Sequence, residues 1–466
     1  MTKPYTISNK TVLLVNPPIY DFAAYDFFNK PLGLLYLAGF LRDAGYNVRM
    51  VDALDRNHPA LQKRFGPVRT KSNGTGKYHS EIIDKPACLA HVPRYYHRYG
   101  LPVDILAQSL TLEYQQYKPI AVLITGMMTY WYPAVADTIE LIRRHIPGTA
   151  IALGGVYTRL MPDHARRICR PDMLFTDATM LAPLKWLDEL AHVNRDYSVI
   201  HDQFHAWPAP AYDLYDQLDY LTLITSLGCP FHCDYCASRL LQPHLLRLEP
   251  AAFIDQMRKL LPLLGQAIRQ NIAFMDDALL AQSEKHIIPI LHAISSLNLP
   301  LHFHCPNGLH IRFINQPLAH LMYANNFQMI RLSYESSDQA ARWQYASDDK
   351  VSDREFKQAV EHLTKAGFSP AQLEAYILTG LPGQKMTEIE QSAQSVHQLG
   401  LKIRLCQYSP IPGTRLFDVS CRQYGIDPTE PLLHNNTILP ALDKRLSHET
   451  FQQFKNHVQQ LNRRLT

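Results

Sequence analysis

The stretch YLTLITSLGCPFHCDYCASR, residues 220–239, sets Cys229, Cys233 and Cys236 within eight positions, directly after an apolar run. The whole chain of 466 residues holds only eight cysteines. Usage this thin is no disulfide framework, and three thiols crowded on one loop point to metal. The run YLTLITSLGC reads as a buried strand closing at Gly228. A structural zinc cage normally draws four Cys or His ligands, often as two separated pairs. Here the spacing is three residues and then two, no second pair follows, and His232 sits awkwardly within the loop as a fourth ligand. Three thiolates on one short loop suit instead three irons of a [4Fe–4S] cube, with the fourth iron open to an exogenous ligand.

Working outward, the strand before the cysteines is the first of about six. NIAFMDD, LHFHCPNG, MIRLSYES, LEAYILTGLPG and LKIRLCQYSPIPGT follow, with amphipathic helical segments between them. Six strand–helix units predict a partial (β/α)6 barrel of TIM type, short of the eight that close a full one. Upstream, TVLLVNPP, NVRMVDA, PIAVLITGM and TAIALGG read as strands, with PLGLLYLAGFLRDAGY and YPAVADTIELIRRHIP as helices. That alternation predicts an α/β, doubly wound parallel sheet, Rossmann-like. The expected organisation is a first domain over 1–195 with an irregular insert at about 56–104, a proline-punctuated linker at 196–219, the barrel at 220–420 and a helical extension at 421–466. The insert is rich in Gly, Pro, His, Tyr and Arg, and reads either as an ordered cap over a site or as a surface loop.

Cys229-Pro-Phe-His-Cys233-Asp-Tyr-Cys236 resembles the CxxxCxxC loop of the radical S-adenosylmethionine (SAM) superfamily, which follows the first barrel strand. The resemblance implies that the open iron chelates the amino and carboxylate groups of SAM, and that electron transfer cleaves it to a 5′-deoxyadenosyl radical. It also implies SAM contacts. Tyr235 precedes the last cysteine, Asp276 ends the strand of NIAFMDD, and its neighbour Asp277 reads as a helix cap. Ser333 and Glu335 end the strand of MIRLSYES, Gly380 and Leu381 form a turn bringing backbone close to the adenine, and Arg312 lies downstream of LHFHC. YSPIPGT, residues 408–414, resembles the end of the sixth strand. Cys305 reads as a small buried residue or a substrate-facing thiol, and Cys88, Cys169, Cys406 and Cys421 earn no role.

The amino-terminal pattern resembles the cobalamin-binding domain that precedes many radical SAM enzymes, so that the likeness spans roughly residues 10–420. It implies cobalamin contacts at Asn16, Pro17, Gly126, Thr129, Gly154 and Gly155. The DxHxxG motif that supplies a cobalt ligand in other cobalamin domains is absent, NPPIYDFAAYDFF following the first strand instead. MTYWYPAV, residues 128–135, gathers three aromatics at the same sheet edge, for cofactor, substrate or interface packing. The implied activity is methylation of an unactivated carbon. The alternatives are cobalamin-independent rearrangement, cyclisation or thiolation with the first domain as a recognition module, and a non-catalytic iron–sulfur or zinc sensor or scaffold. A reductant such as ferredoxin or flavodoxin is the implied partner, with a small-molecule, lipid or peptide substrate.

A net charge of +4, with no dense Lys/Arg run, argues against a dedicated nucleic-acid surface. No stretch reaches the roughly 18 apolar residues of a membrane span, and no signal-like run opens the chain. The expected compartment is cytoplasmic.

Overall fold

The computed structural model describes residues 10–265, 269–337, 351–439 and 448–465. Two compact units are present, Met1–Leu221 with Gln256–Gln266, and Thr222–Asp255 with Ala267–Thr466.

The strands of the first unit are β1 (Thr11–Asn16), β2 (Ile19–Asp21), β3 (Asn47–Asp52), β4 (Ser80–Ile83), β5 (Tyr96–Tyr99), β6 (Ala121–Gly126), β7 (Ala150–Gly155) and β8 (Met173–Leu174). Five of them form a parallel sheet in the order β3-β1-β6-β7-β8. Leu13, Val15, Val122, Ile124, Ile151 and Leu153 are buried in one core, as expected where helices cover a parallel sheet. The chain leaves β1 towards β3 on one side and returns to β6 on the other, so the direction of winding reverses between β1 and β6. Ligands of open α/β sheets settle in the crevice outside the carboxyl ends of strands at such a switch point.

The insert is ordered. It contains a helix, Pro59–Phe65, and two strands, β4 and β5, which join β2 in an antiparallel sheet of order β2-β5-β4. The reading of this stretch as irregular failed because its strands are only four residues long, β4 leaving its residues partly or fully exposed and β5 burying aromatic and charged groups rather than aliphatic ones. In β5 the sequence is YHRY, with Tyr96 and Arg98 buried; Arg98 donates to Tyr20 Oη and the Leu101 carbonyl, both at 2.9 Å. Arg56, nearly fully buried, is paired with Asp26 at 2.6 Å and with Asp219 at 3.2 Å. The stretch 196–219, read as a linker, packs Phe204, Tyr212 and Tyr215 into the first unit, and Tyr215 Oη donates to Asp52 at 2.5 Å. A helix over Val103–Tyr117, not expected from the sequence, carries the chain from the insert to β6.

The second unit follows the expected six strands, β9 (Leu221–Leu223), β12 (Gln270–Phe274), β13 (Leu301–His304), β14 (Phe327–Glu335), β15 (Leu373–Thr379) and β16 (Lys402–Gln407), with the short pair β10 (Ser226–Leu227) and β11 (Leu246–Arg247) after the first. The order is β16-β15-β14-β13-β12-β9, each strand beside its sequential neighbour, and the pairs from β12 to β16 are parallel. Successive strand residues point to opposite faces. One face is apolar: Phe274 and Phe303 stack at 5.3 Å, Phe303 and Phe327 lie 5.5 Å apart, and Tyr334 stacks at 4.1 Å on Phe356 of the helix Asp353–Ala366. The other face carries Asn271, His304, Arg331, Ser333, Glu335, Glu374, Tyr376, Arg404 and Cys406, an unusual load of polar groups for strand interiors.

Candidate functional site

The cysteine loop leaves β10 through Gly228, whose φ is +84°. A Cβ there would stand 2.6 Å from the His244 carbonyl oxygen, so the turn needs glycine both for its dihedral and for space. Beyond it the loop is held on two sides. Phe231 stacks on His310 at 4.5 Å and lies 6.0 Å from Phe313. On the other side Asp234 accepts from Arg415 at 2.5 Å, its carbonyl accepts from the Leu416 amide at 3.0 Å, and Tyr235 packs on the cluster of Leu381, Tyr408 and Leu416. The Tyr235 hydroxyl donates to Glu335 Oε1 at 2.5 Å. The loop is thereby fixed to the ends of β14, β15 and β16.

Cys229, Cys233 and Cys236 are half-buried and none is in a disulfide. Burial pushes the Cys229 thiol up to about 11, with Arg239 pulling the other way. Cys236 Sγ accepts from the Ser238 amide at 3.5 Å and lies 3.3 Å from Ser238 Oγ. Among the described residues, no three His, Cys, Asp or Glu side chains are gathered tightly enough to hold a metal ion. The fit to an iron–sulfur cluster is therefore one of donor chemistry and placement: three thiols outside any disulfide on one anchored loop, with an N–H directed at a sulfur.

The strand-end residues fall into three groups. Glu335 ends β14 at a φ of +69°, after a register irregularity between Ser333 and Glu335, and this turns its carboxylate to Tyr235. Gly380, with φ +79°, and Leu381 follow β15; the Leu381 amide donates to Gln384 Oε1 at 3.2 Å. These residues and Tyr235 are brought together. Ser333 lies lower on the same strand, beside Gly308.

Asp276 is buried and committed elsewhere. Its Oδ1 accepts from the Thr225 amide and hydroxyl at 3.0 and 2.7 Å and from the Ser226 amide and hydroxyl, both at 2.6 Å. Burial raises its pKa against those four donors. His286 joins this group, its Nε2 lying 2.8 Å from Thr225 Oγ1. Asn307 donates to the carbonyls of Met275 and Asp276, each at 3.1 Å. Asp277 is the more exposed of the pair and is hydrogen-bonded by Ser238. Arg312 forms a third, separate position: its guanidinium is engaged at the surface by Glu355 at 2.9 Å.

Sequence reasoning missed Thr225, Ser226, His286 and Asn307, and also the network in which buried Arg331 and Glu374 meet the more exposed Arg404. A signal was present for the last three, since charged residues at alternate positions of otherwise apolar strands mark one face as polar. Cys305 is buried and its thiol is raised by that burial.

In the first unit a crevice opens where the winding reverses. It is lined by Asn16, Pro17, Pro18, Ile19, Asn29, Lys30, Pro31, Leu54, Thr125, Met127, Trp131 and Val135, none of them histidine. Asn16 donates to Asp52 at 2.7 Å, and Trp131 Nε1 donates to Asp21 at 2.8 Å. Of the MTYWYPAV aromatics Trp131 reaches the crevice, whereas Tyr130 is buried. Met127 and Met128 are 43% and 45% exposed at the end of β6. Thr129 is buried in the turn after them. Gly155 (φ +102°) packs on Gly126, where a Cβ would come within 2.5 Å of the Gly126 carbonyl oxygen, and Gly154 faces Phe175. The crevice is narrow, and its lining mixes polar groups (Asn16, Asn29, Lys30, Thr125) with apolar ones and contains no histidine.

No protein-family model matches the chain. Among curated proteins it is similar to cytidylyl-2-hydroxyethylphosphonate methyltransferase of Streptomyces wedmorensis, 21% identical over 92% of this chain and 85% of the relative. It is also similar to an uncharacterized methyltransferase of Synechocystis sp., 22% identical over 70% of this chain and 60% of the relative. Among solved structures it shares its fold with the radical SAM methyltransferase TsrM from Kitasatospora setae, in the form with cobalamin and a [4Fe–4S] cluster bound. The TM-score is 0.64 and the identity 14%, over 90% of this chain and 79% of that one. The form with tryptophan and a SAM analogue gives a TM-score of 0.63.

Proposed function

We propose that this chain is a radical SAM enzyme of the cobalamin-dependent methyltransferase kind, which carries a [4Fe–4S] cluster on Cys229, Cys233 and Cys236 and methylates a carbon of its substrate. The observation that carries the reading is the anchored three-thiol loop after the first strand of a six-stranded parallel sheet, in a chain that shares the TsrM fold over nine-tenths of its length. Both curated relatives are named as methyltransferases, which supports methyl transfer as the outcome. The cluster, when bound, supplies the electron that opens the sulfonium of SAM, and cobalamin, when bound, supplies the methyl carrier.

The chain's own groups bind and orient. Tyr235 and Glu335 fix the cysteine loop to β14, and the left-handed turn at Gly380 offers main-chain polar groups beside Leu381, where the adenosyl portion of SAM would lie. Ser333 faces the same lumen. Asp276 acts one step back, setting the main chain of Thr225 and Ser226 at the entrance to the loop. Arg312, held by Glu355, has no direct part. In the first unit Asn16 and Pro17 line the crevice that would receive cobalamin, whereas Gly126, Thr129, Gly154 and Gly155 lie outside its lining and would support it from the ends of β6 and β7.

The test is metal and cofactor analysis of anaerobically purified protein made with cobalamin supply, together with reduction in the presence of SAM. Three to four irons per chain with cobalt, and SAM cleavage lost in Cys233→Ala, are expected. Iron without cobalt would remove the cobalamin assignment and favour radical chemistry with the first unit as a recognition module. Zinc alone, or no SAM cleavage, would overturn the whole reading.

A further inference from the structure

An electron must reach the half-buried cysteine loop from outside, and the face it crosses has a distinctive composition. From Ala237 to Leu248 the sequence is ASRLLQPHLLRL, with two arginines, a histidine and no acidic residue. The helix Ser238–Leu241 starts two residues after Cys236, and Ser238 touches the Cys236 sulfur, so the outer surface of this helix lies one side-chain layer from the third thiol. Pro230, His232, Arg239, Pro243 and His244 are exposed around two leucines, Leu240 at 51% and Leu246 at 38% exposure. Leu240 rests on Gly413, where a Cβ would come within 3.0 Å of it, and shows its other side to solvent.

The face is built on a short antiparallel strand pair. The β10–β11 pair sets Ser226 opposite Arg247 and Leu227 opposite Leu246, and Arg247 is fixed to Gln282 Oε1 at 2.9 Å and the Ala281 carbonyl at 3.1 Å. Of the carboxylates flanking this stretch, Asp234 is paired with Arg415 and Asp277 accepts from Ser238. An apolar centre with a basic rim suits a small, weak, fast-exchanging contact, in which opposite charge speeds encounter and a few apolar groups orient it.

We propose that this face, centred on Arg239, Leu240 and Leu246, is the docking surface for an acidic one-electron carrier protein. The assignment rests on the radical SAM reading, and the electron passes from the reduced carrier to the cluster, oxidising the one and reducing the other.

An acidic flavodoxin with its reductase is the probe, and the readout is bleaching of the cluster's visible absorption in the full chain. Arg239→Glu is expected to slow flavodoxin-driven bleaching by about tenfold at low salt and to flatten its salt dependence, while dithionite-driven bleaching is unchanged. Leu240→Asp is expected to show the same split between reductants. Unchanged rates with both reductants, or equal loss with both in both variants, would overturn the proposal. Calorimetric binding of oxidised flavodoxin to the chain is a second measurement that needs no cluster. Binding weakened by Arg239→Glu supports the face as a dock even if the function reading fails, and no binding overturns it. Self-association of the chain abolished by Leu240→Asp, with flavodoxin binding unaffected, would assign the face to a second copy and overturn the proposal as well.

Discussion

Glu374 has no exposed surface and carries two guanidinium groups, Arg331 at 2.8 Å and Arg404. Burial pushes its pKa up, but Arg404 and Arg331 outweigh it and hold the carboxyl below the usual glutamate range. Arg331 is also held by the Tyr376 hydroxyl at 3.2 Å, and that hydroxyl donates to the Pro306 carbonyl at 2.7 Å, so the network ties β14, β15 and β16 to the chain after β13. Glu374→Gln would leave the buried Arg331 without its counter-charge and would release Arg404, whose side chain is 46% exposed. A loss of about 3–5 kcal/mol is expected, read as a lower urea midpoint. The same scale shows the limit of reading a carboxylate from sequence. Asp276 and Asp277 are adjacent and chemically identical, yet one is enclosed by four donors and the other is exposed. The partners of Asp276 lie some 50 residues away, and no local pattern around NIAFMDD announces them.

At the scale of elements, β16 is the outer strand of an open six-stranded sheet and would present unpaired N–H and C=O groups. The helix His448–Arg463 covers it. Asn462 accepts from the Ile403 amide at 2.8 Å and donates to the Ile403 carbonyl at 2.9 Å, standing in for a neighbouring strand, and Lys455 donates to Gln407 at 2.8 Å. Asn462→Ala should cost about 1–3 kcal/mol for the two lost bonds and raise aggregation on heating, measured by urea denaturation and light scattering. The helix itself was legible from its periodicity, but its use as a strand cap was not, because that depends on which edge it meets. Gly228→Ala acts on the β10–β11 pair, since it adds a Cβ at a left-handed φ against the His244 carbonyl. Iron incorporation is expected to fall several-fold while the far-ultraviolet circular dichroism is kept, the strain being confined to the turn.

For the whole molecule, the pH response comes from histidines buried as neutral rings in both units. Burial lowers His164 and His286 to about 4 and His304 to about 3. Each is better protonated in the unfolded chain, whose histidines titrate near 6.5, so the stability of the folded form is fully present above that value and is lost as pH falls towards 4. The loss reaches at most about 3–5 kcal/mol per histidine. Resistance to urea should therefore fall from about pH 7.5 to about pH 5, and His286→Gln, which keeps a partner for Thr225, should have the shallower dependence. The sequence by itself determined the two parallel sheets, the six strands of the second and the loop with three thiols, because apolar runs, periodicity and cysteine spacing are local properties of a chain. Only the tertiary structure decided that the insert is a small antiparallel sheet, that Tyr235 meets Glu335, that Asp276 serves Thr225 and Ser226, and that Asn462 caps β16. Each of these is a choice of hydrogen-bond partner, and a buried polar group takes the partner that folding brings to it from a distant part of the chain.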